Sequence, residues 1–354
     1  MTRVDQYRTN PSKAVSNFKG RWDSVFAWPS TAVSTWLNGG LFGGAEKWVA
    51  TANEANSVVT NGDLISYIFT STGTITIEAG YVDVFILGGG GAGGNGGGRV
   101  GGGGGAAGYL LLEDVYMKAG TWQAFVGGSG SDSSIRFGSD INDPLEDDRM
   151  DTHSDAKSNK GVSSGFGGNA GTTGAGGTSG GDHAQTDSQK GSGGGGSSGA
   201  YVGSSGAGGA GGASGDIGFN GHYGIASGAD YSGGAGGGAG GMGTDDSGIS
   251  SWGTTGFNTR GGPGLSNTMA TAGGSAGYYA VGGSAGHYKW GANTDNVKCA
   301  TSAYENIGGW SCWTSADTES NGDANTGSGG GGGYSAGGSG GSGLIIFQTR
   351  AEDA

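Results

Sequence analysis

The stretch from Gly88 to Gly105 is glycine at 14 of its 18 positions, and strand-like sequence flanks it on both sides. Glycine has no side chain from which to build a hydrophobic core, and it loses more backbone entropy on folding than any other residue. Glycine supplies 90 of the 354 residues, against a usual share of about 7%. Such a chain must either remain disordered or fold by bonding its backbones to one another.

Neither disorder nor a collagen structure explains the glycine content. Disordered segments are depleted in aromatic residues, whereas this chain carries 9 Trp, 13 Tyr and 11 Phe spread along its length. Collagen requires glycine at every third position together with abundant proline. Here there are 4 prolines, and the run at 101–105 breaks any strict period. The composition therefore favours a folded chain that is not a collagen.

Oligoglycine adopts an extended left-handed helix with three residues per turn and about 3.1 Å rise per residue. This helix makes no internal hydrogen bonds, so its N–H and C=O groups point outward. Without Cβ atoms, neighbouring helices can approach closely and bond laterally. We expect the glycine runs to be core helices, with side chains only on outward faces and at turns, and the separators between runs to be surface loops.

Strand signals surround the first glycine run. Residues 65–69 (ISYIF) and 74–78 (TITIE) alternate apolar and polar positions across a four-residue connection, which predicts a β-hairpin. Residues 81–87 (YVDVFIL) and the stretches YLLLEDV and TWQAFVG predict further strands with one buried face, and we expect strand structure to stop after Leu87 and Leu112. A last apolar run, 344–347, needs strand partners, and the nearest in apolar density lie at about 65–125. It should pair with them.

These signals predict a mainly β and irregular fold with little or no α-helix. A small β base, formed by the N-terminal strands and the C-terminal strand, would carry a bundle of packed polyglycine helices and loops. The expected organisation is an N-terminal attachment segment (1–56), the β base with the first glycine run (57–140), the glycine-rich region (141–343) and the closing strand with its tail (344–354).

Charge and hydropathy limit the partners. The formal net charge is −13 and the pI about 4.5, with no basic stripe, so a nucleic-acid partner is disfavoured. No apolar run approaches the roughly 18 residues of a membrane span, and the N-terminus has no secretory apolar core. We therefore expect neither nucleic-acid binding nor membrane insertion.

No motif predicts catalysis or a cofactor. G-x-G-x-x-G and G-x-S-x-G matches follow from composition alone, and no helix-forming sequence follows the glycines as a dinucleotide site would require. A Walker A motif fails because Lys190 is followed by glycine. The sequence has no paired carboxylates in a context that indicates a polysaccharide-cleaving enzyme, so this function is disfavoured. We expect a protein that is not an enzyme, with no catalytic residues and no cofactor.

Metal and disulfide signals are equally weak. The four histidines fit no metal pattern, so we expect them to be exposed loop residues. The two cysteines, Cys299 and Cys312, fit no zinc or redox spacing. Two thiols are favoured over a single disulfide bridge, which stays open. An acidic stretch lacks calcium-loop spacing, so a solvated loop is favoured over a cation site. The histidines are His153, His183, His222 and His287, and the acidic residues are Asp140, Asp143, Glu146, Asp147, Asp148, Asp151 and Asp155.

Three stretches carry a family resemblance: FTSTGTITIEAGYVDVFILGGGGAGG, YLLLEDVYMKAGTWQAFVGGSG and GGGGGYSAGGSGGSGLIIFQTR. Together they resemble the glycine-rich domain of bacteriophage tail-fibre and virion proteins, and they are similar in style to the tip adhesins of T-even phage long tail fibres. The resemblance covers about residues 60–350, and not 1–56. It implies glycine helices packed as a sandwich that presents loops to a host receptor, and hence a location on the virion surface, on tail or capsid.

Aromatic separators are the candidate receptor site. Tyr and Trp supply large, rigid, amphipathic contact areas. The alternative, weighed about equally, is that these rings cover the ends of glycine helices. The candidate receptor-binding residues are Tyr278, Tyr279, Tyr288, Trp290, Tyr304, Trp310 and Trp313, with Tyr223, Tyr231, Trp252 and Phe257 as neighbours that could share the same tip.

The N-terminal segment carries four of the nine tryptophans. It predicts a module that docks onto other virion structural proteins, in preference to a piece packed on the β base. The candidate docking residues are Trp22, Phe26, Trp28 and Trp36. The expected function is thus a virion surface protein, a tail-fibre or adhesin component that binds a protein or polysaccharide receptor on the host; the alternative is a capsid or tail decoration without receptor binding. Homo-oligomerisation stays open.

Overall fold

The structure is a computed structural model. It describes residues 50–61, 64–77, 80–96, 101–117, 119–137, 162–163, 191–194, 218–222, 225–227, 230–243, 260–267, 269, 277–285, 287–289, 307–309, 321–333 and 335–350. Within these ranges the chain forms strands and irregular segments and no α-helix. The expectation of a mainly β and irregular fold is confirmed at this level.

The described residues form two five-stranded antiparallel sheets and two small ones. Sheet A has the strand order β1-β4-β7-β8-β9 and sheet B the order β2-β3-β15-β5-β6, while β10-β11-β14 and β12-β13 form the small sheets. The strands are β1 (Ala50–Asn53), β2 (Ser57–Asn61), β3 (Leu64–Phe69), β4 (Gly73–Ile77), β5 (Gly80–Leu87), β6 (Tyr109–Met117), β7 (Gly120–Phe125), β8 (Ser134–Phe137), β9 (Val162–Ser163), β10 (Ile225–Ser227), β11 (Asp230–Ser232), β12 (Leu265–Ser266), β13 (Tyr278–Tyr279), β14 (His287–Lys289) and β15 (Leu344–Arg350).

The C-terminal strand closes the base as expected. Strand β15 lies between β3 and β5 and pairs antiparallel with both. Its four apolar residues, 344–347, are all fully buried. The prediction that the last apolar run pairs with strands near the N-terminus is therefore confirmed. The β base also starts earlier than the boundary at residue 57, because β1 pairs with β4 in sheet A.

A hydrophobic core fills the space between the two sheets. Phe347 and Phe69 of sheet B meet edge to face at 5.7 Å between ring centroids, and Trp122 of sheet A packs edge to face on Phe137 at 5.1 Å. Ile75 of sheet A joins the same core. Two sheets packed over one apolar interior form a β-sandwich.

The predicted hairpin at 65–78 is wrong. Strands β3 and β4 lie in different sheets, so their short connection crosses from one sheet to the other. Asn56 holds this crossing: its Oδ1 accepts hydrogen bonds from the backbone N–H groups of Thr70 (2.7 Å) and Ser71 (3.1 Å). Hairpins and such crossings both have alternating strands and a short connection. Here the apolar faces of β3 and β4 both pack into the core between the sheets, which requires a crossing.

The central strands β5 and β15 of sheet B are buried on both faces, which for β5 is contrary to the expectation of one buried face, whereas β6 and β7 alternate buried and more exposed residues as expected. Even-numbered residues of β5 face the sandwich core, whereas Phe85 and Leu87 face a second apolar cluster. That cluster includes Ala106 and Ala107 from the first glycine-rich stretch, both completely buried. Side chains are thus not confined to outward faces of the glycine segments: small ones fill the contact with sheet B. Strand β6 also continues to Met117, beyond Leu112.

Glycine-rich segments form the third layer, which we call the glycine body. It consists of residues 88–96, 101–108, 191–194, 218–222, 233–243, 260–264, 280–285, 307–309, 327–333 and 335–343. Hydrogen bonds between backbones join these segments to one another. Most of their residues are buried, including every residue of 101–108.

The bonds between segments recur at every third residue. Segment 101–108 donates to segment 327–333 on one side and to 233–243 on a second, while its carbonyl groups accept from 88–96 on a third. On the first side, the N–H groups of Gly101, Gly104 and Ala107 donate to the carbonyl oxygens of Gly333, Gly330 and Gly327, respectively.

The strand register of sheet B continues into the glycine body without a shift. Leu87 of β5 is paired with Tyr109 of β6. Beyond this pair, the N–H groups of Gly88, Gly91 and Gly94 donate to the carbonyl oxygens of Gly108, Gly105 and Gly102. Strands β5 and β6 thus fix which glycines of the two outgoing segments face each other.

Candidate functional site

The glycine body has an inner end, at sheet B, and an outer end. At the inner end, Ala107 donates to the carbonyl oxygen of Gly327 at 2.8 Å, and Ala280 to that of Thr326 at 2.7 Å. From there, the segments run away from sheet B to the outer end, around Gly333. The described ends of the separators can therefore be assigned to one end or the other.

Three segments meet at Gly333. The N–H groups of Gly96 and Gly101 both donate to its carbonyl oxygen, at 2.9 and 3.0 Å. These two glycines flank the separator at 97–100, which consequently leaves and re-enters the body at the outer end. An added Cβ on Gly233 would lie 2.3 Å from the carbonyl oxygen of Gly101, so segment 233–243 also begins here.

Ser284 joins three further segments at the same end. Its N–H donates to the carbonyl oxygen of Gly309 at 2.9 Å, and its own carbonyl accepts from Gly332 at 2.9 Å. Its hydroxyl oxygen accepts from the N–H of Gly261 at 3.3 Å. Sequence reasoning missed Ser284; the only signal for it is a hydroxyl residue that interrupts a glycine run.

His222 ties two more segment ends together. Its backbone N–H donates to the carbonyl oxygen of Ala235 at 2.9 Å. Its ring Nε2 lies 2.7 Å from the carbonyl oxygen of Gly243, which accepts the hydrogen bond. The half-buried ring thereby fixes the residue from which the separator 244–259 departs. The expectation that His222 is merely an exposed loop residue is wrong.

The described flanks of three separators, 97–100, 223–232 and 244–259, therefore lie at the outer end, and separators 286–306 and 310–320 follow Ala285 and Gly309 at this end. A small sheet lies within two of them, since β11 pairs with β14 and Tyr231 is the register partner of Tyr288. This register also continues inward, because Gly236 donates to the carbonyl oxygen of Gly283 at 3.0 Å. The outer end combines fixed backbone positions with the aromatic-rich parts of the sequence.

Tyr278 and Tyr279 do not belong to this end. They form β13, which pairs with β12 next to sheet B. Tyr279 is 1% exposed, and its ring centroid lies 5.5 Å from that of Phe85. Its ring therefore has the packing role that the sequence left open and offers no surface to a receptor. Tyr278 is half-buried in the same strand, so the predicted cluster is divided between the two ends of the body.

The remaining candidates are only partly placed. Tyr288 lies in β14, and His287 precedes it in the same strand. Several other predicted features lie outside the described residues. These are Trp290, Tyr304, Trp310, Trp313, Tyr223, Trp252, Phe257, Trp22, Phe26, Trp28, Trp36, Cys299, Cys312, His153, His183 and the acidic stretch 140–155.

The described residues contain neither a cluster of metal-ligating side chains nor a membrane-spanning helix. No group of three or more His, Cys, Asp or Glu side chains in this part of the chain is arranged to hold a metal ion. The same residues include no helix of the length and apolarity that a membrane crossing requires.

Comparison of the chain with protein-family models, with curated proteins and with solved structures finds no match. The assignment of a function consequently rests on the sequence resemblance and on the geometry of the outer end.

Proposed function

We propose that the protein is a bacteriophage virion surface protein, a tail-fibre or adhesin component, whose glycine body displays host-recognition loops. The glycine segments are polyglycine II helices packed side by side. What supports this packing is the recurrence of lateral hydrogen bonds at every third residue, since that helix has three residues per turn. Seven residue steps from Gly108 to Gly101 then span about 22 Å at 3.1 Å per residue.

One observation carries the proposal: the described residues after which the aromatic-rich separators begin lie at the outer end, on the side of the body away from sheet B. Chain termini and separators could have emerged on any face of such a body. In the sequence, the separators that begin at this end contain Tyr223, Trp252, Tyr288, Trp310 and Trp313. A single pole of this kind is suited to contact with a cell surface.

Anchoring would make recognition less costly. Immobilising loops on binding costs free energy that lowers affinity. Each separator here starts from a backbone held by lateral hydrogen bonds, as at Ser284 and Gly333, so only the separator itself remains to be ordered. Tyr and Trp then supply rigid amphipathic contacts, suited to a protein or polysaccharide receptor. In the same proposal, the N-terminal segment attaches the protein to other virion proteins.

The test compares aromatic residues at the two ends of the molecule. Replacing Trp310 and Trp313 together with alanine should lower binding of the purified chain to host cells by at least tenfold, because truncated hot-spot aromatics typically cost about 2 kcal/mol or more each. The matched control is Phe125→Ala, which truncates an exposed aromatic residue of sheet A. It should leave binding unchanged, and the thermal melts of both variants should stay close to that of the parent.

The opposite results are equally clear. Undiminished cell binding by the double variant, with the fold intact, would contradict recognition by these residues. Antibody-labelled particles that carry the protein in many copies over the capsid lattice, with unchanged adsorption after its removal, would favour the decoration role instead.

A further inference from the structure

Strand β2 is an exposed edge of sheet B. Among the described residues it pairs on one side only, with β3. Its two valines lie on opposite faces of the sheet because strand side chains alternate, yet Val58 is 49% exposed and Val59 44%. Ser57 and Thr60 are exposed as well. Within the part of the chain that the structure describes, no element covers either face of this strand or its outer backbone edge.

Strand β2 lacks the devices that normally protect an edge strand, as far as the described residues extend. Natural edges are blunted by charges, prolines, bulges or a covering element. The sequence of β2 is SVVTN, without charge or proline, and its five pairs with β3 follow without a register shift. It has high β propensity and carries unpaired backbone groups, so it is a template for another strand.

We propose that this strand pairs with β2 of a second copy of the chain, making the protein a homodimer. Antiparallel pairing about a two-fold axis through the middle of the strand would join two five-stranded sheets into one of ten. Val59 would then lie opposite Val59 of the partner subunit, and Val58 opposite Thr60 of the partner subunit. All five residues of β2 take part only when Val59 is at the centre.

Charge favours a second copy as the occupant. In a two-fold pair each strand meets its own charges, and like charges directly opposite are destabilising. Strand β2 carries none, in a chain whose net charge is −13. The nearest preceding carboxylate, Glu54, is turned away: its Oε2 accepts hydrogen bonds from the N–H and hydroxyl of Thr74, at 2.9 and 3.0 Å.

The charges of the two chains determine how the dimer responds to salt. The contact itself is neutral, whereas the two whole chains repel each other through their negative charge. Screening shortens the range of this repulsion to about 8–10 Å at moderate ionic strength. Dimerisation should therefore strengthen between 20 and 300 mM NaCl, opposite to the behaviour of an interface held by ion pairs.

The first experiment cross-links the centre of the pair. Val59→Cys is introduced into a chain in which Cys299 and Cys312 are replaced by serine, and the protein is oxidised mildly. A disulfide-linked dimer should form in high yield, because directly opposite Cβ atoms lie about 4.5–5.5 Å apart. The control is Leu111→Cys in the same background, on the opposite edge strand β6 and also 44% exposed; it should stay monomeric. Equal cross-linking of both, or of neither, overturns the proposal.

The second experiment measures mass in solution by sedimentation. The parent chain should show a concentration-dependent shift from 34.3 kDa to twice that mass. Val59→Lys should weaken the association at least tenfold, while Leu111→Lys, with the same change of charge and exposure, should not. A parent that stays monomeric at 100 µM, or whose β2 amides are protected from exchange only in assembled particles, would assign the edge to a different partner and overturn the dimer.

Discussion

Gly330 offers the sharpest test of close contact between the glycine backbones. It lies near the middle of segment 327–333, where its N–H donates to Gly91 at 2.9 Å and its carbonyl accepts from Gly104 at 2.8 Å. A Cβ added here would lie 2.0 Å from the carbonyl oxygen of Gly338, far inside van der Waals contact. Gly330→Ala therefore forces one of two neighbouring backbones to move.

The expected cost follows from what that movement breaks. The carbonyl oxygen of Gly338 accepts a hydrogen bond from Gly93 at 2.8 Å, and a buried donor left without a partner costs about 1–3 kcal/mol. Overpacking adds roughly 1–3 kcal/mol. Alanine also lowers the conformational entropy of the unfolded chain, which offsets about 0.4–1 kcal/mol of this loss. The variant should be less stable by about 2–5 kcal/mol, a large share of a typical 5–15 kcal/mol.

Urea unfolding and amide exchange measure this effect, and Gly128→Ala is the matched control. A Cβ on Gly128 would meet nothing within 4 Å, so the same substitution should change stability by less than about 1 kcal/mol. The urea midpoint should fall for Gly330→Ala alone, and the amides of Gly93 and Gly104 should exchange faster. If the two variants unfold within 0.5 kcal/mol of each other, the reasoning from close backbone contact is refuted.

Two further predictions concern the β base. Asn56→Ala should destabilise the chain by about 1–3 kcal/mol in urea unfolding, because the turn N–H groups of Thr70 and Ser71 lose their acceptor. Asn56→Asp keeps an acceptor and should lose less stability. An equal loss of stability in both variants would contradict this role of Asn56. Burial raises the pKa of Tyr67 above its usual value, so the neutral hydroxyl is favoured in the folded state. Its contribution is present below about pH 10 and is lost as pH rises through the raised pKa. Tyr67→Phe should therefore flatten the fall of the urea midpoint between pH 9 and 11.5, and an unchanged profile would count against it.

The sequence predicted the parts of the fold that side chains specify. Alternation and apolar runs located β3, β4, β5 and β15, and the need of the last run for partners predicted where it pairs. The signal did not extend to sheet membership. Strands β3 and β4 are joined by a connection short enough for a hairpin, yet they lie in different sheets, and Phe69 and Ile75 belong to the core between those sheets. Periodicity specifies which face of a strand is buried, but not which element covers that face.

The aromatic residues show the same limit. Tyr278 and Tyr288 stand ten positions apart, and composition alone grouped them in one cluster. Between them lies segment 280–285, whose backbone runs from Thr326 at the inner end to Gly332 at the outer end. Because this segment is extended, it places the two tyrosines at opposite ends of the glycine body, whereas a compact loop would have kept them close together. Tyr279 therefore enters the core against Phe85, and its role could be predicted only once the direction of that segment was known.

Glycine runs carry no such information about their own neighbours, because each position is chemically identical to the next. The register must come from outside the run. Here it comes from the strands at the inner end: the β15–β5 pairing that includes Leu344 and Leu87 continues as Gly90 donating to Gly341 and Gly93 to Gly338. The side chains of sheet B, which the sequence does specify, thereby align backbones that cannot align themselves. In the glycine body the hydrogen bonds to one neighbour recur at every third residue, whereas in a strand they recur at every second. The other backbone groups of a segment can therefore bond to further neighbours out of the plane of the sheet, and the body becomes several segments thick.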